Sequence, residues 1–251
     1  MTQIIAITQA RMGSTRLPGK ILKKIKGKSL LEIHIDRILK SKKINKLIVA
    51  TTIDKADSEI VDIAKNCNVD SYRGSVDDVL DRYYQTAKRE NPKWVIRLTS
   101  DCPLIDGDLI DMVISKAINE DLDYCSNTLI EAFPDGQDIE VFKFAALEKA
   151  WNDAVLKSDR EHVTPFIKNN SSFYNKNLFV SGNFACDSNF NNVRLTVDEA
   201  IDFEVIKSLV LQLGFDATWM EYTKEYLDTD ISKLNSNIIR NEGYKKSLKN
   251  D

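Results

Sequence analysis

Short apolar runs alternate with amphipathic stretches through the first half of the chain. The runs at 4–8, 46–52 and 94–99 are continuous and rich in β-branched residues, which is typical of strands buried on both faces of a sheet. Between them, apolar residues recur at helical spacing. Helices are predicted over 30–39, 56–68, 76–90 and 109–118, with a short strand over 69–72. This alternation predicts an α/β fold with a Rossmann-like, doubly wound, mostly parallel sheet.

The second half of the chain has a less regular pattern. Strands are predicted over 122–126, 139–142, 173–180 and 193–196, and helices over 145–155, 198–213 and 219–227. Ser158 is followed three residues later by Glu161, a capping-box spacing that predicts a helix start with Ser158 as N-cap. The polar end at 241–251 predicts a loosely held tail. No linker or internal repeat divides the 251 residues, so a single domain is expected.

Composition and charge exclude several classes of function. A net charge of −3 argues against binding to nucleic acid, which requires a basic excess. No apolar run approaches the roughly 20 residues that cross a membrane. The four cysteines form no C-x-x-C pair and no signal peptide is recognisable, so we expect reduced thiols in a cytoplasmic protein.

Cations, glycines and hydroxyl side chains are concentrated in the segment 9–20 (QARMGSTRLPGK), between the first predicted strand and the first predicted helix. Its cations are Arg11, Arg16 and Lys20. Glycine lets the backbone approach a ligand closely, and arginine and lysine neutralise a bound anion. In doubly wound sheets, ligands bind beyond the carboxyl ends of the strands, where this segment lies. The segment predicts a phosphate site, with an ordinary solvated turn as the alternative.

An aspartate follows each of two apolar runs at the point where the run ends. Asp101 follows 94–99, and Asp198 follows 193–197. A carboxylate that faces a phosphate loop suits Mg²⁺, which takes oxygen ligands together with substrate phosphates. Each aspartate could instead cap a turn or a helix. The two together favour a Mg²⁺ site.

Further polar residues could face the same cleft. A strand would place Asp138 and Glu140 on one face, where they could bind sugar hydroxyls or assist the metal, although a solvated acidic face is the alternative. His162 is a candidate contact for an anionic substrate or a hydroxyl, whereas His34 lies on an apolar helix face and is expected to be structural. The segment that follows the predicted strand 69–72 contributes further candidates for the cleft, namely Arg73, Ser75 and Arg82.

Together these motifs resemble the CMP-sugar synthetases, namely the acylneuraminate and 3-deoxy-manno-octulosonate cytidylyltransferases. The resemblance is strongest to the spore-coat polysaccharide biosynthesis protein F branch, and it extends in order over nearly the whole chain. Besides the segment 9–20, the matching motifs are 73–83 (RGSVDDVLDRY), 97–104 (RLTSDCPL), 134–142 (PDGQDIEVF), 158–166 (SDREHVTPF) and 194–198 (RLTVD).

The resemblance implies a glycosyltransferase-A-like nucleotidyltransferase fold and a Mg²⁺-dependent enzyme that transfers CMP from CTP to a sugar acid or related sugar hydroxyl, with release of pyrophosphate, for cell-surface polysaccharide synthesis. It also implies a homodimer. The nucleotide-binding half would cover about 1–120, the acceptor-binding half about 121–215, and C-terminal helices and a tail 216–251. A glycosyltransferase of the same fold class and a non-catalytic nucleotide-binding protein are the alternatives; Asp101 lacks the paired Asp-x-Asp expected of the former.

Motif match also implies the roles of individual residues. The nucleotide would be bound by Ala10, Arg11, Gly13, Ser14, Arg16, Lys20, Arg73, Ser75 and Arg82. The acceptor would be bound by Asp138, Glu140, Arg160, His162 and Arg194. The metal ligands would be Asp101 and Asp198. The catalytic residues would be Arg16, Lys20 and Asp101.

Overall fold

A central sheet dominates the computed structural model, which describes residues 3–14, 16–248 and 251. Across these residues the sheet has seven strands in the order β5-β4-β1-β6-β8-β7-β9. The first four are mutually parallel, and β8 runs antiparallel to both of its neighbours. The strands of this sheet are β1 (Ile4–Gln9), β4 (Lys46–Thr52), β5 (Asp70–Gly74), β6 (Trp94–Thr99), β7 (Tyr124–Ser126), β8 (Glu140–Lys143) and β9 (Ser181–Asn183), and a separate ribbon pairs β2 (Lys24–Ile25) with β3 (Lys28–Ser29).

Helices cover both faces of the sheet, as the predicted doubly wound fold requires. In the first half they are α1 (Leu30–Ile38), α2 (Ser58–Asn66), α3 (Val79–Glu90) and α4 (Gly107–Asn119). In the second half they are α5 (Phe144–Asp153), α6 (Lys157–His162), α7 (Pro165–Asn169), α8 (Ala200–Leu213), α9 (Trp219–Asp228), α10 (Ser232–Asn235) and α11 (Glu242–Ser247). The prediction of an α/β fold with a mostly parallel sheet is confirmed.

Alternate residues of β1 enter two different cores. Ile4 and Ala6 pack with α1, α2 and α4, whereas Ile5 and Ile7 pack with α3 and α5 on the opposite face. Full burial of such a side chain stabilises the fold by about 2–3 kcal/mol. Because both faces are covered, the strand is apolar throughout rather than alternating.

Several predictions of local structure in the second half are wrong. The segment 193–197 is extended but makes only an isolated bridge, from Arg194 to Asp135, and its alternating apolar residues instead pack against α8 and α9. The predicted strand 173–180 is a 3-10 turn followed by a loop, and β9 begins only afterwards. Ser158 is not an N-cap: α6 begins one residue earlier, and the Ser158 hydroxyl donates to Asp251 instead.

The predicted loose tail is also wrong for much of its length. Its described part contains α11, which packs against α6, and Asp251 accepts hydrogen bonds from both the backbone N–H and the hydroxyl of Ser158. The proposed halves of the chain stay a prediction. All four cysteines are free thiols, and none of the described helices combines the length and apolarity needed to cross a bilayer.

The sheet topology brings three separate segments to one edge. The segment after β1 and the segment after β6 both lie at the carboxyl edge of the parallel strands. Because β8 is antiparallel, its first residue, Glu140, also lies at this edge, directly opposite Arg97 of β6. This edge is therefore where the predicted site residues meet.

Candidate active site

Two adjoining cavities open at the carboxyl edge of the sheet. One, of about 300 Å³, we call the basic cavity because its lining includes five cations and three carboxylates. The other, of about 280 Å³, we call the acidic cavity because carboxylates outnumber cations in its lining. The two cavities share part of their lining: Arg16, Arg97, Thr99, Asp101, His162 and Asp198.

Lys20 holds the two predicted metal ligands together. Gly19 adopts a left-handed conformation, with φ of 66°, and turns the chain into the 3-10 helix that begins at Lys20. The Lys20 ammonium donates to Asp198 Oδ1 at 2.9 Å and to Asp101 Oδ2 at 3.3 Å, and also to the carbonyl of Val197 at 2.8 Å. The carboxylates of a loop after β6 and of a segment before α8 therefore converge on one cation.

Charge pairing keeps Lys20 and Asp101 ionised. Burial favours the neutral form of both Lys20 and Asp101, but the attraction and hydrogen bonds between them outweigh that effect. The pKa of Lys20 is consequently raised, and the pKa of Asp101 is lowered to about 2. Arg16 completes the cluster through an ion pair with Asp198 Oδ2 at 2.9 Å. Lys20 and Arg16 thus both contact Asp198, and Arg194 lies 3.5 Å from the same carboxylate.

The basic cavity collects most of the predicted nucleotide-binding residues. Its lining includes Ala10, Arg11, Ser14, Arg16, Lys20 and Arg82. Among the described residues, none pairs with Arg11 as a counter-ion, so its charge is available to a ligand. The space beside the Gly13 Cα is open, since no atom lies within 4 Å of the position that a Cβ would take.

Four predicted residues are not part of either cavity lining: Gly13 and three residues with longer side chains. Arg73 donates to the backbone carbonyls of Thr52 and Asp54, at 2.9 and 2.6 Å. The Ser75 hydroxyl accepts a hydrogen bond from a backbone N–H at the start of α3. Arg160 pairs with Asp78 at 2.7 Å and so ties α6 to α3. These contacts account for the three side chains structurally, and their predicted ligand roles stay predictions.

Glu140 lines the acidic cavity and belongs to a buried network that includes Arg97. One carboxylate oxygen accepts from Arg97, and the other accepts from the hydroxyls of Tyr124 and Thr164 at 2.7 and 2.6 Å. The Arg97 charge and these hydrogen bonds lower the pKa of Glu140 despite its desolvation. Glu140 is therefore an ionised anchor for Arg97.

Two arginines bind two further carboxylates of the acidic cavity, Asp135 and Asp138. Arg194 pairs with Asp135 at 2.7 Å and, through a fork of two N–H groups, with Asp202. Arg240 donates to Asp138 at 2.8 Å. Desolvation and the neighbouring Asp138 charge raise the pKa of Asp135 to about 7, and desolvation also raises the pKa of Asp138. Even with these arginines, the charges of this cavity are only partly neutralised.

The two histidines have different surroundings. His34 is fully buried, with its ring nitrogens 2.9 Å from Thr8 Oγ1 and 2.8 Å from the Cys102 carbonyl, so the expectation of a structural role is confirmed. His162 lines both cavities and lies 2.9 Å from the Ser247 hydroxyl. Desolvation, assisted by the Arg97 charge, lowers the pKa of His162 to about 4. His162 is therefore neutral at physiological pH.

Sequence reasoning missed two contributions to the site. Arg97 interrupts an otherwise apolar buried strand, and a charged residue there was a usable signal for function. The segment 239–244 follows the last long helix and had no local pattern to identify it. It nevertheless lines the acidic cavity with Ile239, Arg240, Asn241, Glu242 and Tyr244.

The donor set fits the protein's share of a Mg²⁺ site. The Asp101 and Asp198 carboxylates lie within hydrogen-bonding distance of one Lys20 nitrogen, so their oxygens are close together. Within the described ranges, no group of three or more Asp, Glu, His or Cys side chains is arranged to hold a metal. Mg²⁺ commonly binds through one or two carboxylates plus substrate phosphates, and these two residues match that pattern.

Comparisons with known proteins are consistent with this geometry. A family model described as Cytidylyltransferase matches residues 5–229. The chain is 38% identical to the uncharacterized protein MJ1063 of Methanocaldococcus jannaschii, covering 97% of this chain and 98% of that protein. It is 34% identical to the spore coat polysaccharide biosynthesis protein SpsF of Bacillus subtilis, covering 85% and 89%.

Solved structures show the same fold. A cytidylyltransferase from Leptospira borgpetersenii superposes with a TM-score of 0.88 at 30% identity, over 96% of this chain and 100% of that one. A CMP:2-keto-3-deoxy-manno-octonic acid synthetase complexed with CTP superposes with a TM-score of 0.64 at 15% identity, over 84% and 99%. The second likeness concerns the fold alone.

Proposed function

Because this chain belongs to the cytidylyltransferase family and is a nucleotidyltransferase enzyme, we propose that it transfers CMP from CTP to a hydroxyl group of a sugar or sugar acid. The observation that carries this proposal is the junction of the two cavities at Asp101 and Asp198. Transfer between two substrates requires that they bind side by side with the reacting atoms in contact. Two cavities that share a charged wall provide this arrangement.

The basic cavity suits the triphosphate of CTP. Arg11, Arg16 and Lys20 supply three positive charges from one loop, and two of these are already positioned by carboxylates. Transfer of a nucleotidyl group needs mainly positioning and charge neutralisation, because charge spreads over the phosphate oxygens in the transition state. The loop provides both without a protein nucleophile.

Asp101 and Asp198 would hold Mg²⁺, with phosphate oxygens completing its coordination. When bound, Mg²⁺ would neutralise phosphate charge and polarise the reacting oxygens. Lys20 and Arg16 hold these carboxylates close together before any ligand binds. The pKa of about 2 for Asp101 means that this residue is ready to ligate a cation across the physiological pH range.

The acidic cavity suits a polyhydroxylated acceptor. Carboxylates such as Asp138 and Glu131 accept hydrogen bonds from sugar hydroxyls, and Thr128 adds a hydroxyl group. In the proposed reaction, the acceptor oxygen forms a bond to the α-phosphorus, and the bond from this phosphorus to the bridging oxygen of the β-phosphate breaks. Pyrophosphate leaves with that electron pair, and the hydroxyl proton passes to solvent.

The name of the Bacillus relative supports a role in polysaccharide synthesis. This role, a cytoplasmic location and a homodimer stay predictions. Light scattering of the purified protein at micromolar concentration would test the dimer, because a mass near 57 kDa is expected for two chains of 28.6 kDa each.

A pyrophosphate-release screen would test the function. The protein would be incubated with Mg²⁺ and each of the four nucleoside triphosphates, against sialic-, legionaminic-, pseudaminic- and octulosonic-type acids, simple sugars and sugar phosphates. We expect acceptor-dependent pyrophosphate release with CTP. A glycosyltransferase would instead turn over a nucleotide-sugar without releasing pyrophosphate, and that result would contradict the proposal.

A further inference from the structure

We propose that Arg97 is a further catalytic residue, which binds a non-bridging oxygen of the α-phosphate where the two cavities meet. The proposal rests on the proposed function, and it assigns to a strand residue a role in the transition state. Arg97 belongs to the lining of both cavities, although it lies within β6 rather than in a loop.

The position of Arg97 follows from the period of the strand. Side chains two apart in a strand point to the same side, so Arg97 and Thr99 share one face. Both line both cavities, as does Asp101, which follows directly after the strand. Along this one line lie a cation, a hydroxyl group and a proposed metal ligand. In the proposed reaction, the α-phosphate is the group that contacts both substrates, so it must lie at this junction.

The guanidinium of Arg97 is held in place, but not all of its N–H groups have a hydrogen-bond partner among the described residues. Its Nη1 donates to Glu140, and the remaining Glu140 oxygen is occupied by Tyr124 and Thr164. Arg97 Nε is buried and has no hydrogen-bond partner within the described part of the chain. Only 14% of the side chain is exposed. A buried N–H group left unpaired is costly, which favours an oxygen acceptor from a ligand or water at this point.

The chemistry of the guanidinium selects an anionic oxygen as its ligand. Arginine binds phosphate through several N–H groups in a fixed plane. Burial by itself would lower the pKa of Arg97, but the Glu140 charge and hydrogen bond outweigh it and raise the pKa, so the side chain donates hydrogen bonds and transfers no proton. A fixed, desolvated donor at the reacting phosphorus stabilises the charge that develops there, without reorganisation during the reaction. The carboxylate of a sugar-acid acceptor is the other possible source of this oxygen.

A comparison of CMP with cytidine tests the proposal without an acceptor. The affinities of both ligands would be measured by calorimetry for the wild type and for the variants Arg97→Lys and Arg97→Met. We expect the ratio of CMP affinity to cytidine affinity to fall about tenfold in Arg97→Met, since only CMP carries the phosphate. Arg97→Lys keeps a cation beside Glu140, so this variant keeps the test interpretable if Arg97→Met does not fold. An unchanged ratio in both variants would overturn the proposal.

Kinetics with an acceptor found in the screen provide a second readout. We expect kcat of Arg97→Met to fall about 100- to 1,000-fold, the cost typical of a lost transition-state donor, with partial recovery on addition of guanidinium ions to Arg97→Ala. A merely structural arginine would not show such rescue. A change confined to the KM of the acceptor would assign the oxygen to the acceptor and overturn the proposal. Because the binding arm uses no acceptor, a failed screen would count against the proposed function alone.

Lys143→Gln is a suitable control variant. Lys143 lies on β8 like Glu140, pairs with Asp121 and Asp123, and lines neither cavity. We expect its ratio of CMP to cytidine affinity to match that of the wild type. An equal fall in this control would show that the ratio reports general damage to the sheet, and it would overturn the assignment to Arg97.

Discussion

Replacement of Asp101 by asparagine is expected to lower catalytic activity far more than it lowers the stability of the fold. The substitution keeps the size of the side chain and removes one negative charge. With a pKa of about 2, Asp101 is ionised throughout the assay range, so the charge is lost at every working pH. The amide oxygen can still accept a hydrogen bond from Lys20, whereas an amide is a much weaker Mg²⁺ ligand.

The expected loss of stability is small. At 3.3 Å the Asp101–Lys20 attraction is about 5 kcal/mol at an effective dielectric constant near 20, before desolvation is subtracted. Lys20 retains Asp198 at 2.9 Å and the Val197 carbonyl at 2.8 Å. The side chain of Asp101 is also 31% exposed, which screens the pair. The pKa of Asp101, lowered from 3.8 to about 2, corresponds to about 2 kcal/mol in favour of the ionised form, so we expect the free energy of unfolding to fall by about 2 kcal/mol or less.

The expected loss of activity is much larger. A bound metal supplies several kcal/mol of charge stabilisation in the transition state. Loss of about 4 kcal/mol would lower kcat about 1,000-fold. Pyrophosphate release and urea unfolding would be measured on the same preparation. The control is Asp36→Asn, which breaks an exposed ion pair with Lys28 outside both cavities and should leave turnover unchanged. Near-normal turnover of Asp101→Asn with Mg²⁺ as the sole metal would refute the metal assignment.

Three further predictions concern stability. Burial lowers the pKa of His34 from 6.5 to about 4, so the unfolded chain gains a proton first as pH falls. The His34 contribution to this loss of stability is about 3 kcal/mol between pH 6.5 and 4. Urea unfolding at each pH should therefore show a drop in stability that is smaller by about this amount in His34→Gln than in the wild type. Arg194→Met leaves two buried carboxylates without their arginine partner and should lower the free energy of unfolding by about 3–5 kcal/mol. Thermal unfolding should show a Tm lower by roughly 10 °C. An unchanged Tm would contradict a buried ion network. Gly136→Ala forces a Cβ to 2.6 Å from the Leu195 backbone at a φ of 111° and should lower the Tm, whereas Gly13→Ala meets open space and should not.

The strands of the main sheet and the α-helices in the first half of the fold could be predicted, whereas the short β2–β3 ribbon could not. The bounds of β4 and β6 agree with the predicted runs, because strands buried on both faces are apolar throughout and end where the burial ends. The second half could not be predicted this way. The segment 193–197 alternates like a strand, yet its alternation reflects packing against α8 and α9. Alternate burial has the same pattern whether or not the backbone pairs with a neighbour.

The site was predictable only where its chemistry is concentrated in one segment. The loop that carries Arg11, Arg16 and Lys20 contains enough cations and glycines to indicate a phosphate ligand from adjacent residues alone. Arg160 also lies in a long motif, at 158–166, yet its guanidinium ties two helices together. Motif length therefore did not distinguish a residue that lines a cavity from one that supports it.

The sequence by itself determined the parallel sheet, the basic loop and the two aspartates that follow apolar runs. Each of these features depends on residues that are adjacent in the sequence, because a strand end or a loop is a local feature. Only the tertiary structure decided that Lys20 joins Asp101 to Asp198, and that Arg240 reaches Asp138 across 102 residues of chain. Such contacts depend on how the strands and helices pack, so no pattern of neighbouring residues encodes them.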